Sequence, residues 1–145
     1  MSAPVEPIVV IPEDESWQLL ASRTLGRLAT SVGGQPEIFP VNFVVQRRSV
    51  LFRTAEGTKL ASAVANNRVA FEVDEHNFEG GWSIIVKGQA QMVRTQEEIA
   101  EAERAQLLPW IATRKRHFVR ITPSEISGRR FRFGTEPDED FNYAT

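Results

Sequence analysis

The chain has no cysteine. That removes disulfides, thiolate metal sites, iron–sulfur clusters and cysteine nucleophiles, so redox chemistry would have to come from a borrowed cofactor. Histidine is nearly as scarce: His76 and His117 fall on separate segments, no paired-histidine motif exists, and no metal is expected. Neither sign of charge is in large excess. Seventeen basic against nineteen acidic residues leave a formal net charge of -2, which gives no general field for nucleic acid or an anionic membrane and makes any anion site local. The apolar run Ile8 to Ile11 is too short for a signal core or a membrane span, and no basic leader precedes it, so a cytoplasmic protein is expected. Dinucleotide fingerprints, Walker loops and serine elbows are also missing.

What is present reads as one domain of alternating strands. The 145 residues suit a single core. Residues 1–12 carry three prolines and read as an extended N-terminal arm, residues 13–134 as the domain, and residues 135–145 as an acidic C-terminal tail. A short amphipathic helix is expected from Glu13 to Ser22, with Trp17, Leu20 and Ala21 on its apolar side. Strand periodicity follows over 25–32, a Gly33-Gly34 turn, and a strand over 37–46 with Phe39, Val41, Phe43 and Val45 on the core face. Pro40 and Asn42 then look outward, and a mid-strand proline marks an edge or bulge where backbone groups are left for a ligand. Two readings of Asn42 stand, a ligand contact or a local hydrogen bond.

Arg47-Arg48-Ser49 reads as a hairpin loop, 50–54 as a third strand, 58–66 as a helix and 68–74 as a fourth strand. The loop 75–81 leads to the longest strand, 82–94, in which Gly88 predicts a bend or bulge. A helix over 96–108 should lean on the sheet, stopped by Pro109, with Trp110 and Ile111 beside it. A sixth strand over 116–126 is broken by Pro123. His117 alternates with Val119 and Ile121 as a core or interface residue, and His76 reads as a surface loop residue. Arg129, Arg130 and Arg132, interleaved with Phe131 and Phe133, would suit ring stacking, a second anion or a dimer contact.

The stretch from Leu51 to Leu60, LFRTAEGTKL, carries the chemistry. A strand ends, the chain turns at Gly57, and a helix starts at Thr58-Lys59, so backbone N–H groups, the Arg53 fork, the Lys59 charge and the Thr58 hydroxyl could converge on a phosphate. The alternative is that Thr58 merely caps the helix and the two cations are surface charges.

These segments together resemble a known family. Leu25-Gly26-Arg27-Leu28-Ala29-Thr30, Pro40-Val41-Asn42-Phe43, Phe52-Arg53-Thr54 with Gly57-Thr58-Lys59-Leu60, Val69 to Val73, and Gly81-Trp82-Ser83 with Val86 and Gly88 follow the order seen in pyridoxamine phosphate oxidase-like flavoproteins, nearest their nitroimidazole-reductase-like branch. The resemblance implies a mainly β fold, a six-stranded antiparallel split β-barrel of the FMN-binding type with flanking helices. It also implies a homodimer with a flavin in the groove between subunits. By the family pattern Arg53, Thr54, Thr58 and Lys59 would hold the phosphate of FMN, and the backbone of Pro40, Val41, Asn42 and Phe43 would run along the ring. Trp82 and Ser83 would close the site, from the partner subunit or from the same one. A deazaflavin cofactor is the alternative. The implied activity is a flavin-dependent oxidoreductase passing electrons between a nicotinamide and a small molecule, against a non-catalytic flavin-binding or stress-related carrier. Nothing matches the substrate-phosphate contacts of a true pyridoxamine phosphate oxidase, and no residue is assigned as catalytic.

Overall fold

The computed structural model of the chain describes residues 6–55, 58–65, 67–107 and 117–134. Among these residues seven strands and three helices follow one another: β1 (Ile8–Ile11), α1 (Glu13–Ala21), β2 (Leu25–Val32), β3 (Gln35–Gln46), β4 (Ser49–Thr54), α2 (Lys59–Val64), β5 (Arg68–His76), β6 (Gly80–Met92), α3 (Gln96–Arg104) and β7 (His117–Arg132). Every strand pairing is antiparallel. In the order β7-β4-β3-β2-β5-β6, six strands close into a ring through the pairing of β6 with β7, so the expected six-stranded barrel is present.

The long strand β7 makes this closure possible. One edge pairs with β6 from Val119 to Arg132; the other takes β4 at His117–Ile121 and β1 at Gly128–Phe131. Residues 8–11 of the proline-rich arm are therefore a strand laid on the barrel, with Ile11 buried. The strand expected to end at Ile126 instead runs on to Arg132. Pro123 does not break it, because it sits at a register shift. Gly88 faces Pro123 while Lys87 faces Glu125, leaving Ser124 as the extra residue. A bulge is where a strand tolerates a residue with no N–H to donate.

The loop expected over 75–81 contracts to Asn77–Glu79, so His76 belongs to β5. Asn77 Oδ1 accepts from the amides of Glu79 (2.8 Å) and Gly80 (3.2 Å), an Asx turn that lets the strands run nearly to the tip. The helix α3 ends at Arg104, and Thr95 caps it by accepting from the amide of Glu98. Trp110 and Ile111, expected beside it, lie outside the described residues.

Alternation puts one residue in two inside. Leu28, Val41, Phe43, Phe52, Phe71, Ile84 and Val86 fill the barrel, with Trp17 and Leu20 of α1 and Val64 of α2 closing on it. Phe43 and Phe71 meet edge to face at 4.7 Å, the arrangement that ring quadrupoles favour. A second cluster, Leu51, Val93, Ala102, Leu107 and Phe118, lies on the outward side of β4 and β7 under α3. No helix among the described residues is long and apolar enough to cross a membrane. Among those residues, no group of three His, Asp or Glu side chains could hold a metal.

Candidate functional site

The barrel wall opens between β3 and β4. Their pairing starts at the hairpin, Gln46 with Ser49, and its last pair is Phe43 with Phe52. Beyond it, β3 continues to Gln35 with β2 as its strand partner, while Arg53 and Thr54 stay with β7. Asn42 and Arg53 are thus the first residues past the split, both on outward positions. The interrupted ladder expected around Pro40 is present, but its cause is the divergence of β4. Pro40 itself keeps its place opposite Arg27 of β2.

Arg53 is half-buried. Its guanidinium lies 4.9 Å from the centre of the Phe118 ring, directly across on β7, and its Nε is buried with no hydrogen-bond partner among the described residues. No carboxylate pairs with it among those residues either. A buried donor left without an acceptor costs about 1–3 kcal/mol, and the described residues supply no anion to this cation. One position on, Thr54 is fully buried, and its hydroxyl lies 3.2 Å from that of Thr58. Thr58 Oγ1 also donates to the carbonyl of Ala55 at 2.8 Å and accepts from the amide of Ala61 at 3.1 Å.

Both readings of Thr58 are therefore structurally compatible, and the cap is the one the hydrogen bonds show. The helix it caps, α2, has six residues and too few turns for a strong macrodipole, so charge at this corner comes mainly from side chains. Gly57 lies outside the described residues. Lys59, expected either to hold a phosphate or to be a surface charge, is paired: its Nζ lies 2.7 Å from Glu37 Oε1 on β3. The Lys59 and Glu37 side chains are 70% and 30% exposed, a setting in which such pairs are worth roughly 1 kcal/mol or less.

The structure thus places Asn42 and Arg53 at the split, ties Thr54 to Thr58 through their hydroxyls, and pairs Lys59 with Glu37. Val41 and Phe43 point into the core, at 3% and 2% exposure, so only their backbone could meet a ligand. Trp82 is also inward and packs under the Arg23 guanidinium at 5.6 Å. Ser83 is outward but far away. It stands opposite Arg129 on β7, whereas Arg53 stands opposite Phe118. Those eleven positions (129 − 118) amount to on the order of 30 Å along the strand. One protomer does not bring Ser83 and Arg53 to the same ligand phosphate.

Sequence reasoning passed over a second constellation on the outward face. Arg27 of β2 reaches Glu72 Oε1 at 2.8 Å and Asp74 Oδ2 at 3.1 Å, both on β5. Burial and the hydrogen bond to Asp74 push the Glu72 carboxyl up to about 7, while the hydrogen bond from Glu72 holds Asp74 below its usual range. Strand parity carried the signal, since Arg27, Glu72 and Asp74 all fall on outward positions. A cleft of about 260 Å³ beside them is lined by Arg23, Arg27, Pro40, Asp74 and Glu75. Of the two histidines, His76 is exposed, and half-buried His117 starts β7 opposite Thr54.

Comparison with known proteins agrees with this architecture. A family model described as pyridoxamine 5'-phosphate oxidase matches residues 12–130. The uncharacterized protein Rv3129 of Mycobacterium tuberculosis is 62% identical over 101 residues, covering 70% of this chain and 92% of its own. An FAD binding protein from Mycobacterium smegmatis superposes with a TM-score of 0.79 at 56% identity, over 86% of this chain and 100% of that one. A conserved protein of unknown function from Corynebacterium diphtheriae gives 0.77 at 42% identity, over 87% and 99%.

Proposed function

Because the chain belongs to the pyridoxamine 5'-phosphate oxidase family, we propose that it is a flavin-dependent oxidoreductase that grips its cofactor by a phosphate at the Arg53 corner. The observation that carries this is the Nε of a half-buried arginine at the split of the barrel, buried and without a hydrogen-bond partner among the described residues. The fit is chemical: Arg53 offers a fork of donors, Thr58 offers a hydroxyl, and the outward edge of β3 from Pro40 to Asn42 offers backbone. FMN and FAD carry the same ring and the same first phosphate, and the Mycobacterium smegmatis relative is an FAD binding protein. A flavin nucleotide is therefore favoured over the deazaflavin.

When bound, the ring would supply hydride or electron transfer between a reduced nicotinamide and a small acceptor. The chain's own part is to anchor the phosphate, hold the ring along β3 and exclude water. Its groove is completed by a second copy: Trp82 and Ser83 lie at the far end of β7 from Arg53 in one protomer, so a homodimer is the arrangement that brings both sets to one cofactor.

The test is steady-state oxidation of NADH and NADPH by the flavin-loaded protein with an electron acceptor. Turnover well above that of the same concentration of free flavin is expected. A rate equal to free flavin, with flavin still bound, would replace the oxidoreductase by a flavin carrier.

A further inference from the structure

Another charged cluster lies at the opposite end of β4 from Arg53, where the β3–β4 hairpin meets α3. Its turn residues Arg47 and Arg48 have φ of 51° and 50°, the left-handed region that a two-residue hairpin turn favours and that few side chains take. Each is held by an ion pair: Arg47 Nε lies 3.1 Å from Glu101 Oε1 on α3, and Arg48 pairs with Asp14 of α1. Behind them Arg120 of β7 is half-buried, opposite Leu51 of β4 and Gln91 of β6. Its Nη1 donates to Ser49 Oγ at 2.7 Å and to the Gln46 carbonyl at 3.5 Å, and its Nη2 donates to Gln46 Oε1 at 2.7 Å. Gln46 is fixed in turn by donating from Nε2 to the carbonyl of Glu101 at 2.8 Å. All three acceptors are neutral, so the guanidinium is oriented without being neutralised, and a partly buried charge with no counter-charge is costly.

Beside Arg120 opens a cavity of about 340 Å³, within the size range of small-molecule sites. Arg120, Gln91 and Thr122 give its wall polar groups, Met92 and Val93 give apolar ones, and Glu98 of α3 gives a carboxylate; neither Arg53 nor Asn42 lines it. With Arg47 and Arg48 already paired, the wall keeps one cation and one anion that have no ion-pair partner among the described residues, Arg120 and Glu98. We propose that this cavity binds a small zwitterion, an α-amino acid with an unbranched apolar side chain. A guanidinium has five N–H donors, and those that the three bonds of Arg120 leave over take the carboxylate. Glu98 takes the ammonium, and Met92 and Val93 receive the side chain. The site stands whether or not the Arg53 corner holds a flavin.

The experiment is a calorimetric titration of L-norleucine and of hexanoate into the full chain. The two probes share one carbon chain and differ only in the α-ammonium. L-Norleucine should bind about fivefold more tightly than hexanoate, as expected of one partly screened unit charge. Glu98→Gln should bring the two to equal affinity, and Arg120→Gln should weaken both by about tenfold or more. Thr122→Trp changes an exposed position on the cavity wall that takes no part in the Arg120 bonds. It should fill the cavity and abolish binding with the denaturation midpoint unchanged, which keeps the test decisive if Arg120→Gln does not fold. A wild-type protein that binds neither probe in the millimolar range, or binding that survives both Arg120→Gln and Thr122→Trp, would overturn the site. Hexanoate bound as tightly as L-norleucine by wild type would overturn the role of Glu98 and the zwitterion with it.

Discussion

The hydroxyls of Thr54 and Thr58 lie 3.2 Å apart, and through them the last residue of β4 is tied to the cap of α2. A fully buried strand residue therefore fixes where the helix begins, and with it the place of Lys59. Local structure and candidate site are the same few atoms here.

Replacing Thr58 by Ala should cost about 1 kcal/mol of stability through loss of the cap. It also strips Thr54 of its side-chain partner. Thr58→Ser, which keeps the oxygen, should recover most of that loss. Urea denaturation midpoints of the three proteins decide it; equal midpoints for wild type and Thr58→Ala would show that the cap does not hold α2.

Gly26 lies close against the ring of Phe71. A Cβ placed there would stand 2.3 Å from Cζ of Phe71, whose ring is fully buried and set against Phe43. Gly26→Ala should thus destabilise by roughly 1–3 kcal/mol, as overpacked cores do. Shortening the ring in Gly26→Ala/Phe71→Leu should cost less than the sum of the two single changes, measured as a thermodynamic cycle. Strict additivity would mean the clash is relieved elsewhere.

The Arg27–Glu72–Asp74 cluster predicts a pH dependence. Glu72 has a folded pKa raised to about 7 from 4.5, so between those values the folded chain binds more protons than the unfolded one. Its contribution to stability therefore falls as pH rises through that window. Asp74, held below its usual value, acts in the opposite sense. Its stabilisation is present above about pH 4 and lost as pH falls below that. Denaturation midpoints taken from pH 4.5 to 7.5 should show a downward trend in wild type that flattens in Glu72→Gln. An unchanged slope in the variant would remove Glu72 from the account.

How far the sequence carried follows from physical range. Period-two alternation is local, so β2, β5 and the inward set Val41, Phe43, Phe71 and Ile84 were legible directly, as was the irregularity at Gly88. The arm's residues 8–11 were not read as a strand, because what makes them one is a partner 120 positions away, Gly128–Phe131 of β7. The extension of β7 past Pro123 depends likewise on a bulge opposite Gly88 that only the pairing reveals. At the site, Arg53 and Thr58 could be found from a strand-turn-helix pattern. The neutralisation of Lys59 by Glu37 could not, since the two residues meet only when α2 closes the mouth of the barrel. The same holds for Arg27 with Glu72 and Asp74, where parity names the face and strand order alone makes them neighbours.

The most direct measurement is the affinity of flavin for wild type against Arg53→Ala, by fluorescence titration of the flavin-free protein, with circular dichroism as a check on the fold. Loss of a hydrogen-bonded charge should weaken binding by about 1.5–3 kcal/mol, which is roughly ten- to 150-fold. Binding of equal strength by a correctly folded Arg53→Ala protein would contradict the account, because Arg53 would then have no part in holding the cofactor.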